Sequence, residues 1–123
     1  MTKNKKKILV VDDSATNNIL LQSILEEEGY FVNVAFDGKE AFQFLKTRKP
    51  DLILLDIMMP EIDGLSILRE IKKKNTEIPV IMVTAKDDLQ SQDEAKSAGA
   101  LDYIQKPINV DLVIDKVKQL FSN

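Results

Sequence analysis

The chain has 123 residues, of which 44% are hydrophobic, with a formal net charge of -3 and a sequence pI near 5.0. This suits one compact domain burying about two thirds of its unfolded surface, and an acidic balance excludes a general nucleic-acid binder, whose phosphate affinity rests on accumulated Lys and Arg. The absence of His and Cys removes imidazole catalysis, imidazole ligation, thiol chemistry and disulfides, which fits a reducing compartment.

The first strand is expected at Lys7 to Asp12, where Ile8-Leu9-Val10-Val11 ends on Asp12-Asp13. A helix follows from Ala15 to Glu28, with Ile19, Leu20, Ile24 and Leu25 as its apolar positions. The second strand, Phe31 to Phe36, is more mixed, and the helix at Lys39 to Thr47 presents Ala41, Phe42 and Leu45. The third strand, Asp51 to Asp56, runs Leu52-Ile53-Leu54-Leu55 into Asp56 and precedes a helix at Leu65 to Lys74 carrying Leu65, Leu68 and Ile71. A fourth strand at Val80 to Thr84 leads to the weakest helix, Asp87 to Ala98, with only Leu89, Ala95 and Ala98. So little burial makes it a candidate for movement. The last pair is a mixed strand at Asp102 to Gln105 and a helix at Asn109 to Phe121 with Val110, Val113, Val117 and Leu120.

Punctuation supports these boundaries. Gly29 and Gly99 follow helices as C-cap glycines, Pro50 and Pro79 precede strands, and Asp37-Gly38 and Asp63-Gly64 mark turns into helices. Glu26-Glu27-Glu28 breaks a local rule by placing anions in a helix's last turn. Lys5-Lys6-Lys7 and Lys72-Lys73-Lys74 read as solvated segments. No apolar run approaches membrane-spanning length, so a soluble cytoplasmic protein is expected.

Alternating strands and helices give an α/β fold, a doubly wound five-stranded parallel sheet. Ligands of such sheets sit beyond the carboxyl ends of the strands, where Asp12, Asp13, Asp56, Thr84 and Lys106 all fall. If the first and third strands are neighbours, three carboxylates converge, and like charges raise one another's pKa unless a cation lies among them. The pattern reads as a metal site around an acidic nucleophile.

Taken together, Val10-Val11-Asp12-Asp13, Leu55-Asp56-Ile57-Met58-Met59-Pro60, Asp63-Gly64, Val83-Thr84-Ala85 and Lys106-Pro107 resemble the receiver domain of two-component response regulators, over residues 7 to 121. The resemblance implies a flavodoxin-like (βα)5 fold with strand order 2-1-3-4-5. It also implies that Asp56 takes a phosphoryl group from a phosphohistidine of a sensor kinase or phosphotransfer protein, the acyl phosphate hydrolysing later. Asp12, Asp13, Asp56 and the Met58 main-chain carbonyl would hold Mg2+ or Mn2+, with Asp12 acting partly through water. Lys106 and Thr84 would stabilise charge on the transferred group, and the Lys106-Pro107 bond is typically cis in the family. Tyr103 would turn inward when Thr84 moves, reshaping a docking face of the fourth helix, fifth strand and fifth helix for a downstream effector, with a phosphorylation-linked dimer as a further possibility. Met58 and Lys86 occupy positions that tune dephosphorylation, while Met59, Pro60 and Gly64 shape the loop after Asp56.

Taken singly, these residues have plainer readings: Asp56 capping a turn, Asp13 or Ser14 an N-cap, Thr84 a helix cap and Tyr103 strand packing. A flavodoxin-like electron carrier would share the architecture, but Asp12-Asp13 would repel a flavin phosphate. A haloacid-dehalogenase-type phosphatase needs Asp-x-Asp after its first strand, and a receiver-like binding module that takes no phosphate would not need all five residues. The expectation is one receiver domain over residues 1 to 123 with no output domain, acting by docking, without nucleic-acid contact or membrane insertion. A receiver excised from a hybrid kinase or larger regulator is the other possibility, to which Thr16-Asn17-Asn18 lends some flavour.

Overall fold

The near-continuous apolar runs become central strands in the computed structural model, which describes residues 5–57, 63–74, 77–85 and 89–122. β1 (Lys7–Val11), β3 (Leu52–Leu55) and β4 (Val80–Thr84) are buried almost throughout, whereas β2 (Phe31–Ala35) and β5 (Asp102–Gln105) keep exposed positions. The strands form one parallel sheet in the order β2-β1-β3-β4-β5. The mixed strands lie at the edges, as expected when only inner strands must be apolar on both faces.

Side-chain alternation along each strand divides the interior into two layers. Leu9, Val11, Ile53, Leu55 and Met82 face one core with Ile67, Leu68 and Ile71 of α3 (Gly64–Lys74), Ala41 of α2 (Gly38–Thr47) and Ala95 of α4 (Leu89–Ser97). Ile8, Val10, Leu54, Ile81 and Val83 face the other, with Leu21 and Leu25 of α1 (Ala15–Glu27) and Val113 and Val117 of α5 (Val110–Phe121).

The first helix is turned relative to its expected face. Its buried stripe is Asn18, Leu21 and Leu25, while Ile19 is 62% and Leu20 36% exposed. The adjacent pairs Leu20-Leu21 and Ile24-Leu25 left two apolar stripes available, and packing chose Leu21 and Leu25, the one that seats an asparagine. The acidic last turn finds a partner in Lys118 of α5, whose Nζ lies 2.8 Å from Glu28. Leu89, counted as an inward residue of α4, is 76% exposed; that helix buries only Ser91 and Ala95. Residues 87 and 88 of its expected span lie outside the described residues.

The basic runs diverge. Lys5, Lys6 and Lys7 are exposed, as are Lys73 and Lys74. Lys72 instead lays its stem over Gly99, a positive-φ residue (φ 107°), and donates to the Ile78 carbonyl at 2.5 Å. Gly29 also has positive φ, 97°. Asp37 caps α2 by accepting from the Glu40 N–H at 2.8 Å, and the Glu40 carboxylate accepts from the Phe36 N–H at 2.7 Å.

One glycine touches the site-bearing strand directly. The Gly64 N–H donates to the Ile57 carbonyl at 2.8 Å, and a Cβ at this position would lie 2.0 Å from the Asp56 carbonyl oxygen and 2.6 Å from Ile57 Cα. Both obstacles are backbone, so relief requires moving the chain that carries Asp56. Gly64→Ala should cost about 3 kcal/mol, near the upper end for overpacking, read as a lower urea midpoint at unchanged m-value. An unchanged midpoint would show that the loop yields freely.

Candidate functional site

Parallel pairing of β1 and β3 places Val11 opposite Leu55, so the chains leave the sheet side by side on Asp12 and Asp56. The Asp56 N–H donates to the Val11 carbonyl at 3.0 Å, and the Asp12 N–H to the Ala35 carbonyl at 3.1 Å. These bonds prolong the ladders and hold both residues rigidly. Carboxylate oxygens of Asp12, Asp13 and Asp56 lie within 4.8 Å of one another. Asp12 and Asp56 are buried, while Asp13 is exposed at the rim.

Burying two carboxylates is costly unless they are paired. Lys106 meets that need from just beyond β5: its Nζ lies 2.6 Å from Asp12 Oδ2 and 3.2 Å from Asp56 Oδ2. Its own N–H donates to the Thr84 carbonyl at 2.8 Å, tying the end of β5 to that of β4, and the Lys106–Pro107 bond is cis. Burial, the largest single influence, pushes the Lys106 pKa down, but hydrogen bonds and charge from Asp12 and Asp56 together outweigh it and the pKa is raised. Lys106 therefore stays an ammonium at neutral pH.

Asp13 feels the opposite imbalance. Desolvation first, and then the charges of Asp12 and Asp56, raise its pKa above the usual 3.8. Three carboxyl groups share one ammonium, so the cluster holds more acidic groups than Lys106 alone can compensate. An all-oxygen donor set with surplus negative charge fits a hard divalent cation, which Asp12, Asp13 and Asp56 would hold.

Ser14 rather than Asp13 caps α1, its Oγ accepting from the Asn17 N–H at 3.3 Å. That leaves the Asp13 side chain to the cluster. The Ser14 N–H in turn donates to Asp12 Oδ1 at 2.9 Å. Thr84 ends β4, fully buried; because Leu55 lies opposite Met82, it stands one step beyond the position beside Asp56. Tyr103 is half-buried in β5 opposite Met82 and lines a cavity of about 180 Å3 with Gln92, Ala95 and Lys96 of α4. Met58, Met59, Pro60 and Lys86 lie outside the described residues. Asn18 was not singled out for a role, yet it is buried at 1% exposure and donates from Nδ2 to the Asp12 carbonyl at 2.8 Å. A polar residue three before Leu21 and seven before Leu25 was the available signal.

The family model described as the response regulator receiver domain matches residues 8–118. The chain belongs to the receiver-domain family. It is 42% identical over 115 residues to the alkaline phosphatase synthesis transcriptional regulatory protein PhoP of Bacillus subtilis, covering 94% of this chain and 48% of that one. Among solved structures, a CheY-like response regulator receiver domain protein of Methanospirillum hungatei superposes with a TM-score of 0.92 at 32% identity, covering 97% of this chain and 95% of that one. The receiver domain of the Francisella response regulator 1452 gives 0.89 at 37% identity, covering 96% and 98%. This receiver spans less than half the length of the curated relatives it matches. The electron-carrier and dehalogenase-type readings fall with this assignment. Among the described residues, no helix is long and apolar enough to cross a membrane.

The electrostatics of the receiver's acidic pocket predict a linked pH and metal dependence. Because the folded-state pKa of Asp13 is raised, the folded protein holds that proton more tightly than the unfolded chain. Asp13 therefore withdraws stability as pH rises through the window above 3.8. A cation that binds ionised Asp13 offsets the loss, so Mg2+ should raise the melting temperature at pH 7 and have little effect near pH 4. An equal Mg2+ effect at both pH values would contradict this.

Proposed function

We propose that Asp56 is the phosphoacceptor of this receiver. Its carboxylate attacks the phosphorus of a partner's phosphohistidine in line; the P–O bond forms as the P–N bond breaks, and the imidazole leaves with the nitrogen's electron pair. The observation that carries the reading is the pairing of buried Asp56, at the tip of a central strand, with the Lys106 ammonium at 3.2 Å. An anionic nucleophile is thus presented beside a cation able to compensate the incoming phosphoryl oxygens.

Each further residue has a proposed part. Lys106 shifts its charge from Asp12 toward the transferred group, and the Thr84 hydroxyl donates to it. Asp12, Asp13 and Asp56 would hold Mg2+ or Mn2+, which would neutralise charge on the phosphoryl oxygens; the Met58 main-chain carbonyl would complete the protein's share of the ligands. Tyr103 reads out the change to the face of α4, β5 and α5, where the lightly buried α4 costs least to move. That face meets a downstream protein effector, and phosphorylation can also be read by pairing of two copies. The receiver works in the cytoplasm, a reading supported by the absence of Cys. Its partners are a histidine kinase or phosphotransfer protein and an effector. We read one domain in this chain, spanning residues 7 to 121. Relatives such as PhoP of Bacillus subtilis are named as transcriptional regulatory proteins, whereas the reading without nucleic-acid contact concerns this domain alone.

Incubation with acetyl phosphate and Mg2+ should add one phosphoryl group by intact mass, and Asp56→Asn or chelation should abolish it. No adduct on the wild-type protein would instead favour a receiver-like binding module that takes no phosphate.

A further inference from the structure

α1 buries a stripe at positions 18, 21 and 25, and two of its three residues are leucines. The third, Asn18, is 1% exposed, and its Oδ1 is buried without accepting a hydrogen bond from any described residue. Leaving an amide oxygen unmet in the interior is unfavourable, and an apolar residue of similar size would avoid the penalty. Something specific to the amide must offset it.

That something is the bond from Asn18 Nδ2 to the Asp12 carbonyl, 2.8 Å long and buried. Turning the amide over would set Oδ1 against another acceptor, so the orientation is decided by chemistry. The Asp12 carbonyl belongs to the peptide joining Asp12 to Asp13, at the point where the chain has left β1 and has not yet begun α1. The Asp12 N–H is already held by β2 and its side chain by Ser14 and Lys106. Rotation of the Asp12–Asp13 peptide is what would still swing Asp13, the exposed member of the three carboxylates. Asn18 itself is held by its N–H, which donates to the Ser14 carbonyl at 3.0 Å, so the contact ties that peptide to the helix.

We infer that Asn18 is a positioning residue: it locks the Asp12–Asp13 peptide so that the Asp13 carboxylate faces the cation site, accepting a buried unmet oxygen in return. This rests on the cation reading of the acidic pocket, and the test separates the two. In 15N,13C-labelled protein, Asn18→Leu should preserve the fold, since leucine continues the apolar stripe. It should change the residual dipolar coupling of the Asp13 N–H and the 13C′ shift of Asp12, leaving the N–H couplings of Leu21 and Leu25 unmoved. Mg2+ affinity, titrated through amide shifts, should weaken roughly fivefold, as expected for loss of one typical hydrogen bond. A purely structural residue would alter stability and leave both readouts alone. Mg2+ affinity within twofold of wild type, or an unchanged Asp13 coupling, would overturn the inference. If wild type shows no Mg2+ response, the cation reading fails and the metal-free Asp13 coupling alone decides the role of Asn18. Asn18→Ala, which removes the same bond with less volume, supplies both readouts if the leucine variant does not fold.

Discussion

The Lys106 ammonium, wedged against Asp12 at 2.6 Å and Asp56 at 3.2 Å, is the interaction on which the site depends. Two carboxylates buried at the ends of adjacent strands would be unstable as anions without it. The fold delivers this lysine from 94 residues downstream of Asp12 and 50 downstream of Asp56, across a sheet whose order places β4 beside β3 and β5 beside β4. The ends of β1, β3 and the edge strand β5 therefore share a single charge balance.

That balance is incomplete by design of the composition. Asp13 adds a third carboxyl group at the rim, its pKa raised by desolvation first and then by the charges of Asp12 and Asp56. An incoming phosphoryl group would add further negative charge, which Lys106 and a bound cation would have to compensate. The ladder bonds below Asp12 and Asp56 and the close backbone approach of Gly64 to Asp56 hold the geometry, while α4 buries only Ser91 and Ala95.

Much of this was legible in the residues themselves. Runs such as Leu52-Ile53-Leu54-Leu55 have only one stable place in a parallel sheet, and the acids that end them locate the site. The rotation of α1 was not legible, because Leu20-Leu21 and Ile24-Leu25 offered two apolar stripes, and the one chosen seats Asn18 against the Asp12 carbonyl. The dual contact of Lys106 was hidden for another reason: strand order places its backbone, but the reach of a four-carbon side chain chooses its partners. Lys72 escaped the solvated-run reading because its stem covers Gly99, a contact between segments distant in the chain.

The central claim is that one carboxylate of the three accepts phosphate while the others manage charge. Reduction of the acyl phosphate with tritiated borohydride after treatment with acetyl phosphate and Mg2+, followed by peptide mapping, tests it most directly. The account predicts label at position 56 alone; label at position 12 or 13 would contradict it.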